Sequence, residues 1–372
     1  MNNIFGLTKE ALAAELAAYD IPRFRADQIV RWMYQRGAAS FDAMDNLSKA
    51  LRTQLAEHFS IERPKVISRL HSADGATIKL LYEFTDGQTA ETVLMRHSYG
   101  NSVCVSTQAG CRMGCAFCAS TLHGLQRNLT VGEIAAQVIG VADFLRQEGA
   151  RVDTIVVMGS GEPLENYDNV TAALRLLHED YCIGLGYRGV TLSTSGIVPG
   201  IERLAEEGIP ISLSISLHAP TDALRSEIMP VNRMYPLADV LRAARAYAER
   251  TKRRVTYEYI LIRDLNDSVR EAEQLAKLLR GQLASVNLIP INPVAERNLF
   301  RPDKAAIRRF QKTLEDRRIA VTLRREMGTD IQAACGQLRN RLMEAGLYKV
   351  VFLWYDIEVV NSISLPKESI AR

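Results

Sequence analysis

The chain has 372 residues, 24% charged and 47% hydrophobic, with a formal net charge of +3 and six cysteines. This length and balance fit an ordinary globular protein with a large buried core in one or two domains. The longest apolar runs, "DTIVVM" and "YKVVFLWY", fall short of the ~20 residues a membrane span needs, so no membrane association is expected.

Residues 1–60 read as a helical N-terminal module. Apolar residues recur at helical spacing in "TKEALAAELAAYD" and "RADQIVRWMYQRG", and "NLSKALRTQLAEHF" continues the pattern. The first twenty residues lack a basic start followed by a long apolar stretch; no secretory signal is read there, and a cytoplasmic location is expected. Residues 61–99 change to β-type runs punctuated by Asp-Gly turns, a small meander. From residue 100 to 338, short apolar strands alternate with helical stretches. Strands are expected at "SVCVST", "DTIVVM", "GVTLST", "PISLSIS", "RVTYEYIL", "ASVNLI" and "IAVTL". This alternation predicts an α/β fold with parallel strands, as a barrel or an open sheet. Chemistry in such folds collects where strands end, and there lie Cys111–Cys118, Gly159–Glu162, Ser193 and Ser216–His218. Residues 296–326 hold ten Lys and Arg against five Asp and Glu, a patch for a polyanion or a solvated helix face. Residues 339–372 form an extension ending in an apolar β-like run, for which an added strand or partner contact is expected.

Four of the six cysteines fall within "SVCVSTQAGCRMGCAFCAS". Cysteines clustered this way in a long chain point to metal or catalytic thiols rather than structural disulfides. Cys111, Cys115 and Cys118 are spaced C-x3-C-x2-C, with Cys104 seven residues ahead. A structural zinc wants a fourth ligand, usually from a second pair, and no second C-x2-C is present. A [4Fe–4S] cluster held by three thiolates keeps one iron open for a substrate or cofactor.

"CRMGCAFC" resembles the signature of the radical S-adenosylmethionine (radical SAM) superfamily. The resemblance implies a full or partial (β/α) barrel and one [4Fe–4S] cluster on Cys111, Cys115 and Cys118. It also implies S-adenosylmethionine chelated by the open iron and split to a 5′-deoxyadenosyl radical. "VVMGSGEPLEN" resembles the family's Gly-Glu-Pro element, so Gly161 and Glu162 are implied to meet the methionine moiety. Ser193, Ser216, Leu217, His218 and Asn292 are implied as further cofactor contacts. Without the resemblance, Ser193 and Ser216 read as strand-end caps and His218 as a satisfied loop histidine.

"SVCVSTQAGC", "HGLQRNLTVGEI" and "GTDIQAACGQL" are similar to motifs of the RlmN/Cfr family of ribosomal RNA adenine methyltransferases within that superfamily. Membership implies that Cys335 is methylated by one S-adenosylmethionine and that a second one generates the radical. It implies a transient protein–RNA adduct, resolved by Cys104 as a Cys104–Cys335 disulfide forms, with Glu91 accepting the ring proton. Read alone, Glu91 is an exposed strand carboxylate. Cys182 matches no functional element and reads as structural. The implied substrate is an adenosine of 23S rRNA, with tRNA as a second substrate in some members. It would be held by the 296–326 stretch and by Arg23, Arg25, Arg31 and Arg36, and a flavodoxin-type donor would supply the electron to the cluster. A monomer is the expected state. "GSGEPLENYDN" and "STSGIVPGI" look more like the enzymes that methylate C2 than those that methylate C8. A zinc-binding RNA module remains the alternative from another class, and would leave Cys104 and Cys335 without a role.

Overall fold

Strand β1 (Asn2–Asn3) pairs in parallel with β2 (Phe59–Ser60), and helices α1 (Lys9–Ala17), α2 (Arg25–Tyr34) and α3 (Lys49–His58) lie between them. The Thr8 hydroxyl accepts a hydrogen bond from Ala11 N, and that of Ser48 from Leu51 N, satisfying amides that no helical carbonyl reaches. The helices turn Leu12, Leu16, Ile29, Val30 and Met33 inward.

One ten-stranded sheet follows. Its antiparallel part is β3 (Lys65–His71), β4 (Thr77–Glu83) and β5 (Thr89–His97), joined through β6 (Gly100–Cys104) to the parallel part. The meander is thus continuous with the strands that follow it. A short hairpin, β7 (Gln108–Gly110) with β8 (Leu125–Asn128), brackets the cysteine loop. Helix α4 (Val131–Gln147) leads to β9 (Thr154–Val157), then come α5 (Tyr167–His178), β10 (Val190–Thr194), α6 (Val198–Glu207) and β11 (Ser212–Ser216). The chain continues through α7 (Asp222–Ile228), α8 (Leu237–Thr251), β12 (Val255–Leu261), α9 (Val269–Leu279), β13 (Ala284–Pro290), α10 (Lys304–Asp316) and β14 (Val321–Leu323). The sheet order is β14-β13-β12-β11-β10-β9-β6-β5-β4-β3, and the strands anticipated from residue 100 onward are all present, each parallel to the next along β6, β9, β10, β11, β12, β13 and β14. Leu192, Leu213, Ile215, Tyr257 and Leu288 are fully buried, and in β10 and β11 the leucines and isoleucine alternate with Thr and Ser, so apolar and small polar residues take opposite faces.

This computed structural model describes residues 1–338 apart from Pro293, Ala295 and Cys335. Arg339–Arg372, and with them the expected extra strand, lie outside the described residues, as does Cys335 itself. No helix among the described residues is long and apolar enough to cross a membrane.

Candidate active site

Residues from the carboxyl ends of β9, β10, β11, β12 and β13 line one cavity: Val157, Thr194, Ser216, Ile260 and Ile289. Strands lie ~4.8 Å apart, so the outer two of five would be separated by ~19 Å in a flat sheet. Sharing a cavity requires the sheet to curl, as in a partial barrel. The cavity, about 140 Å³, has room for a group much larger than a single ion.

The cysteine loop closes one side. Cys111, Cys115 and Cys118 all line the cavity, the first two buried and the third half-buried. Backbone bonds fix the loop: Cys111 N donates to Gly124 O (3.0 Å), Ala116 N to Ile228 O (2.9 Å) and Ala119 N to Gly336 O (2.8 Å). Gly110 stands at φ +76°, where an added Cβ would strike the Gly124 carbonyl, so the turn into Cys111 admits only glycine. Burial pushes the Cys111 thiol up to about 12 and that of Cys115 well above its ordinary range. No group of three or more His, Cys, Asp or Glu among the described residues could hold a single metal ion. Three thiols that share a cavity without converging on one point fit a polynuclear cluster better than zinc.

Glu162 lines the same cavity, with 2% of its surface exposed. Its Oε1 accepts from Leu164 N (3.0 Å) and Thr194 Oγ1 (2.7 Å), and its Oε2 from Ser195 N (2.7 Å). Burial raises its pKa, and these donors partly counter the rise. Gly161, at φ +107°, brings the chain so near Gln108 that a Cβ would lie 2.6 Å from the Gln108 side chain.

His218 lines the cavity with its backbone at φ +60°, a left-handed conformation costing a β-carbon residue ~1–2 kcal/mol. The turn brings Nδ1 to accept from Ile260 N (3.0 Å) and packs the ring edge-on against Phe117, centroids 4.7 Å apart. An accepting Nδ1 requires the neutral ring, and burial lowers its pKa to about 3.

Gly161, Glu162, Ser193, Ser216 and His218 therefore share the cavity with the three thiols. Leu217 and Asn292 are buried, and neither is among the described lining residues. Glu91 is buried on β5 rather than exposed, because Lys79 Nζ of β4 meets its Oε1 at 3.0 Å. Lys79 Nζ also donates to Gln332 O (3.3 Å), three residues before Cys335. Cys104 packs with Val93, Ala333 and Leu338, and Ser120 Oγ donates to Leu338 O (2.8 Å). The segments on both sides of Cys335 thus meet Cys104 and the cysteine loop. No disulfide joins any two of the five described cysteines.

Glu258 and Ser195 are among the cavity residues that the sequence reading did not single out. Glu258 on β12 is buried, its pKa raised by burial and countered by Arg324, and it accepts from Asn287 Nδ2 (2.8 Å). Ser195 lines the cavity beside Met113, donating its hydroxyl to Met113 Sδ at 3.3 Å. Several cations of the basic stretch are engaged locally: Arg301 with Glu326, Lys312 with Asp316 and Arg317 with Glu273. Arg31 of α2 is likewise held by Asp27.

A curled parallel sheet with three cysteines beyond its first strand and a Gly-Glu-Pro turn beyond the second defines a radical SAM enzyme. Residues 105–279 match the family model "Radical SAM superfamily", and residues 2–61 match "Ribosomal RNA large subunit methyltransferase N-terminal domain". The probable dual-specificity RNA methyltransferase RlmN of Symbiobacterium thermophilum is 56% identical over 90% of this chain and 91% of its own. The corresponding protein of Geobacillus kaustophilus is 51% identical over 91% of this chain and 93% of its own. A crystal structure of a radical SAM methyltransferase from Sphaerobacter thermophilus superposes with a TM-score of 0.88 at 46% identity, covering 91% of this chain and 99% of that one. The chain belongs to the RlmN family of radical SAM methyltransferases. Membership brings with it a [4Fe–4S] cluster and S-adenosylmethionine.

Proposed function

We propose that the chain methylates C2 of an adenosine in 23S rRNA, and of an adenosine in tRNA, through a methylated Cys335 and a transient protein–RNA adduct. The observation that carries this reading is the packing of Cys104 against Ala333 and Leu338, which flank Cys335 on either side. Segments far apart in sequence meet there, which supports a pair of thiols acting in turn to form and release a covalent adduct.

Cys111, Cys115 and Cys118 would hold the cluster, with Gly161, Glu162, Ser193, Ser216, Leu217, His218 and Asn292 around S-adenosylmethionine. When bound, the pair supplies a 5′-deoxyadenosyl radical, which an adenine ring carbon needs because it is too poor a nucleophile for polar methyl transfer. Cys335 carries the methyl carbon to the ring. Glu91, kept near Lys79 and out of water, accepts the ring proton. Cys104 then attacks the Cys335 sulfur, so that the RNA leaves as a disulfide forms, and a thiol reductant restores both residues. The neutral His218 ring, fixed by Ile260 N and packed against Phe117, would form an apolar wall beside the bound cofactor. The helical residues 1–60 and the basic stretch 296–326 would grip RNA phosphates while the target base is extruded into the cavity. A flavodoxin-type donor would supply the electron. The retained Gly-Glu-Pro at 161–163 favours C2 over C8.

Mass spectrometry of nucleosides from treated rRNA and tRNA tests the reading. 2-Methyladenosine is expected, and 8-methyladenosine would assign the chain to the sister chemistry. Cys335→Ala should form no adduct and Cys104→Ala should accumulate one; normal turnover in either removes the two-thiol scheme.

A further inference from the structure

Arg225 of α7 is fully buried. A guanidinium has five N–H donors, and here all five are used. Nε donates to Leu217 O (3.1 Å), Nη1 to Asn232 Oδ1 (2.9 Å) and Tyr235 O (3.4 Å), and Nη2 to Ser195 O (2.6 Å) and Ser216 O (3.0 Å). Every acceptor is neutral, and among the described residues no carboxylate forms an ion pair with it. Asp222 is exposed and reaches it only through Asn232, whose Nδ2 donates to Asp222 Oδ1 (3.0 Å). A buried cation without a counter-ion is costly, and a carbonyl clamp alone does not need the charge.

The same helix packs at its end against the cysteine loop. Ile228, at the end of the same helix, accepts from Ala116 N (2.9 Å), and Ile228 and Met229 pack on Cys115. Burial lowers the Arg225 pKa to about 10, and Cys115 is the first group to counter it. With no donor to spare, Arg225 reaches a bound group through its field rather than by contact.

We propose that Arg225 is the fixed counter-charge of the cysteine loop, its fork ordering the ends of β10 and β11 and its charge favouring the reduced form of the thiolate-bound cluster. The inference rests on the radical reading above. Reduction adds one negative charge to a site that already carries three thiolates, so a nearby buried cation raises the potential toward that of a one-electron donor.

The test is a redox titration of the anaerobically reconstituted full chain, followed by electron paramagnetic resonance without S-adenosylmethionine, for wild type, Arg225→Met and Arg225→Lys. At the wild-type midpoint, Arg225→Met should lower the ratio of reduced to oxidised cluster about tenfold, a shift of ~59 mV for one electron, and Arg225→Lys less than about twofold. No shift in Arg225→Met, or equal shifts in both variants, overturns the proposal. Should Arg225→Met bind no cluster, iron content decides: retention in Arg225→Lys but not in Arg225→Gln supports charge compensation, and any other pattern overturns it. A wild-type chain without a cluster would instead sink the radical reading itself.

Discussion

Replacing Lys79 with Met should expose how Glu91 is kept in the interior. The two groups meet at 3.0 Å, with side chains only 10% and 8% exposed. At an effective dielectric of ~20, charges 3 Å apart attract by about 5.5 kcal/mol, and removing one partner of a buried pair typically costs about 3–5 kcal/mol. Lys79→Met should therefore lower the unfolding free energy by about 3–5 kcal/mol. Adding Glu91→Gln removes the stranded charge, so the double variant should recover much of that loss. Urea unfolding of the anaerobically purified chain, followed by Trp32 and Trp354 fluorescence, would give the four corners of the cycle. Additive losses, with the double variant as unstable as the sum of the singles, would show that the pair is not coupled and that Lys79 does not secure Glu91.

Acid should destabilise the chain through His218. Its folded pKa, about 3, lies below the ordinary 6.5, so the stability linked to its neutral ring is complete above pH 6.5 and is lost as pH falls toward 3. His218→Asn, which accepts from Ile260 N and tolerates the left-handed backbone, should flatten the pH dependence of the unfolding midpoint in that window; an unchanged slope refutes it. Gly110→Ala should lower bound iron several-fold, because the turn into Cys111 must shift to clear Gly124, and unaltered iron content would contradict the close approach. Glu91→Gln should accumulate protein–RNA adduct on denaturing gels, since release must follow proton loss, and a normal product yield without adduct would remove its role as base. RNA affinity should fall linearly on a log–log plot against salt, and a flat response would remove phosphate contacts by the basic segments.

The parallel strands were legible because each is an apolar run bounded by turn residues, and the cysteine loop because its spacing is uncommon. What escaped was decided by pairing across distance. Glu91 and Lys79 lie diagonally on adjacent strands, since Lys79 pairs with Val93 and Leu81 with Glu91. Nothing in "AETVLM" marks that carboxylate as buried, because its partner lies in another strand. In "DALRSEIM", Arg225 reads as an ordinary helical arginine; acceptors from other elements, among them the carbonyls of Ser195, Ser216 and Leu217, turn it inward. Glu258 likewise passes for the polar side of a strand until Asn287 of β13 and Arg324 meet it. Local periodicity reveals elements; the charges they bury depend on which elements meet.

The most direct test of the account is iron and sulfide analysis of the anaerobically reconstituted chain and its single Cys→Ala variants. The account predicts about four irons per chain, lost on changing Cys111, Cys115 or Cys118 and kept on changing Cys104, Cys182 or Cys335. One zinc per chain in an active preparation, or iron that survives loss of any of the three, would contradict it.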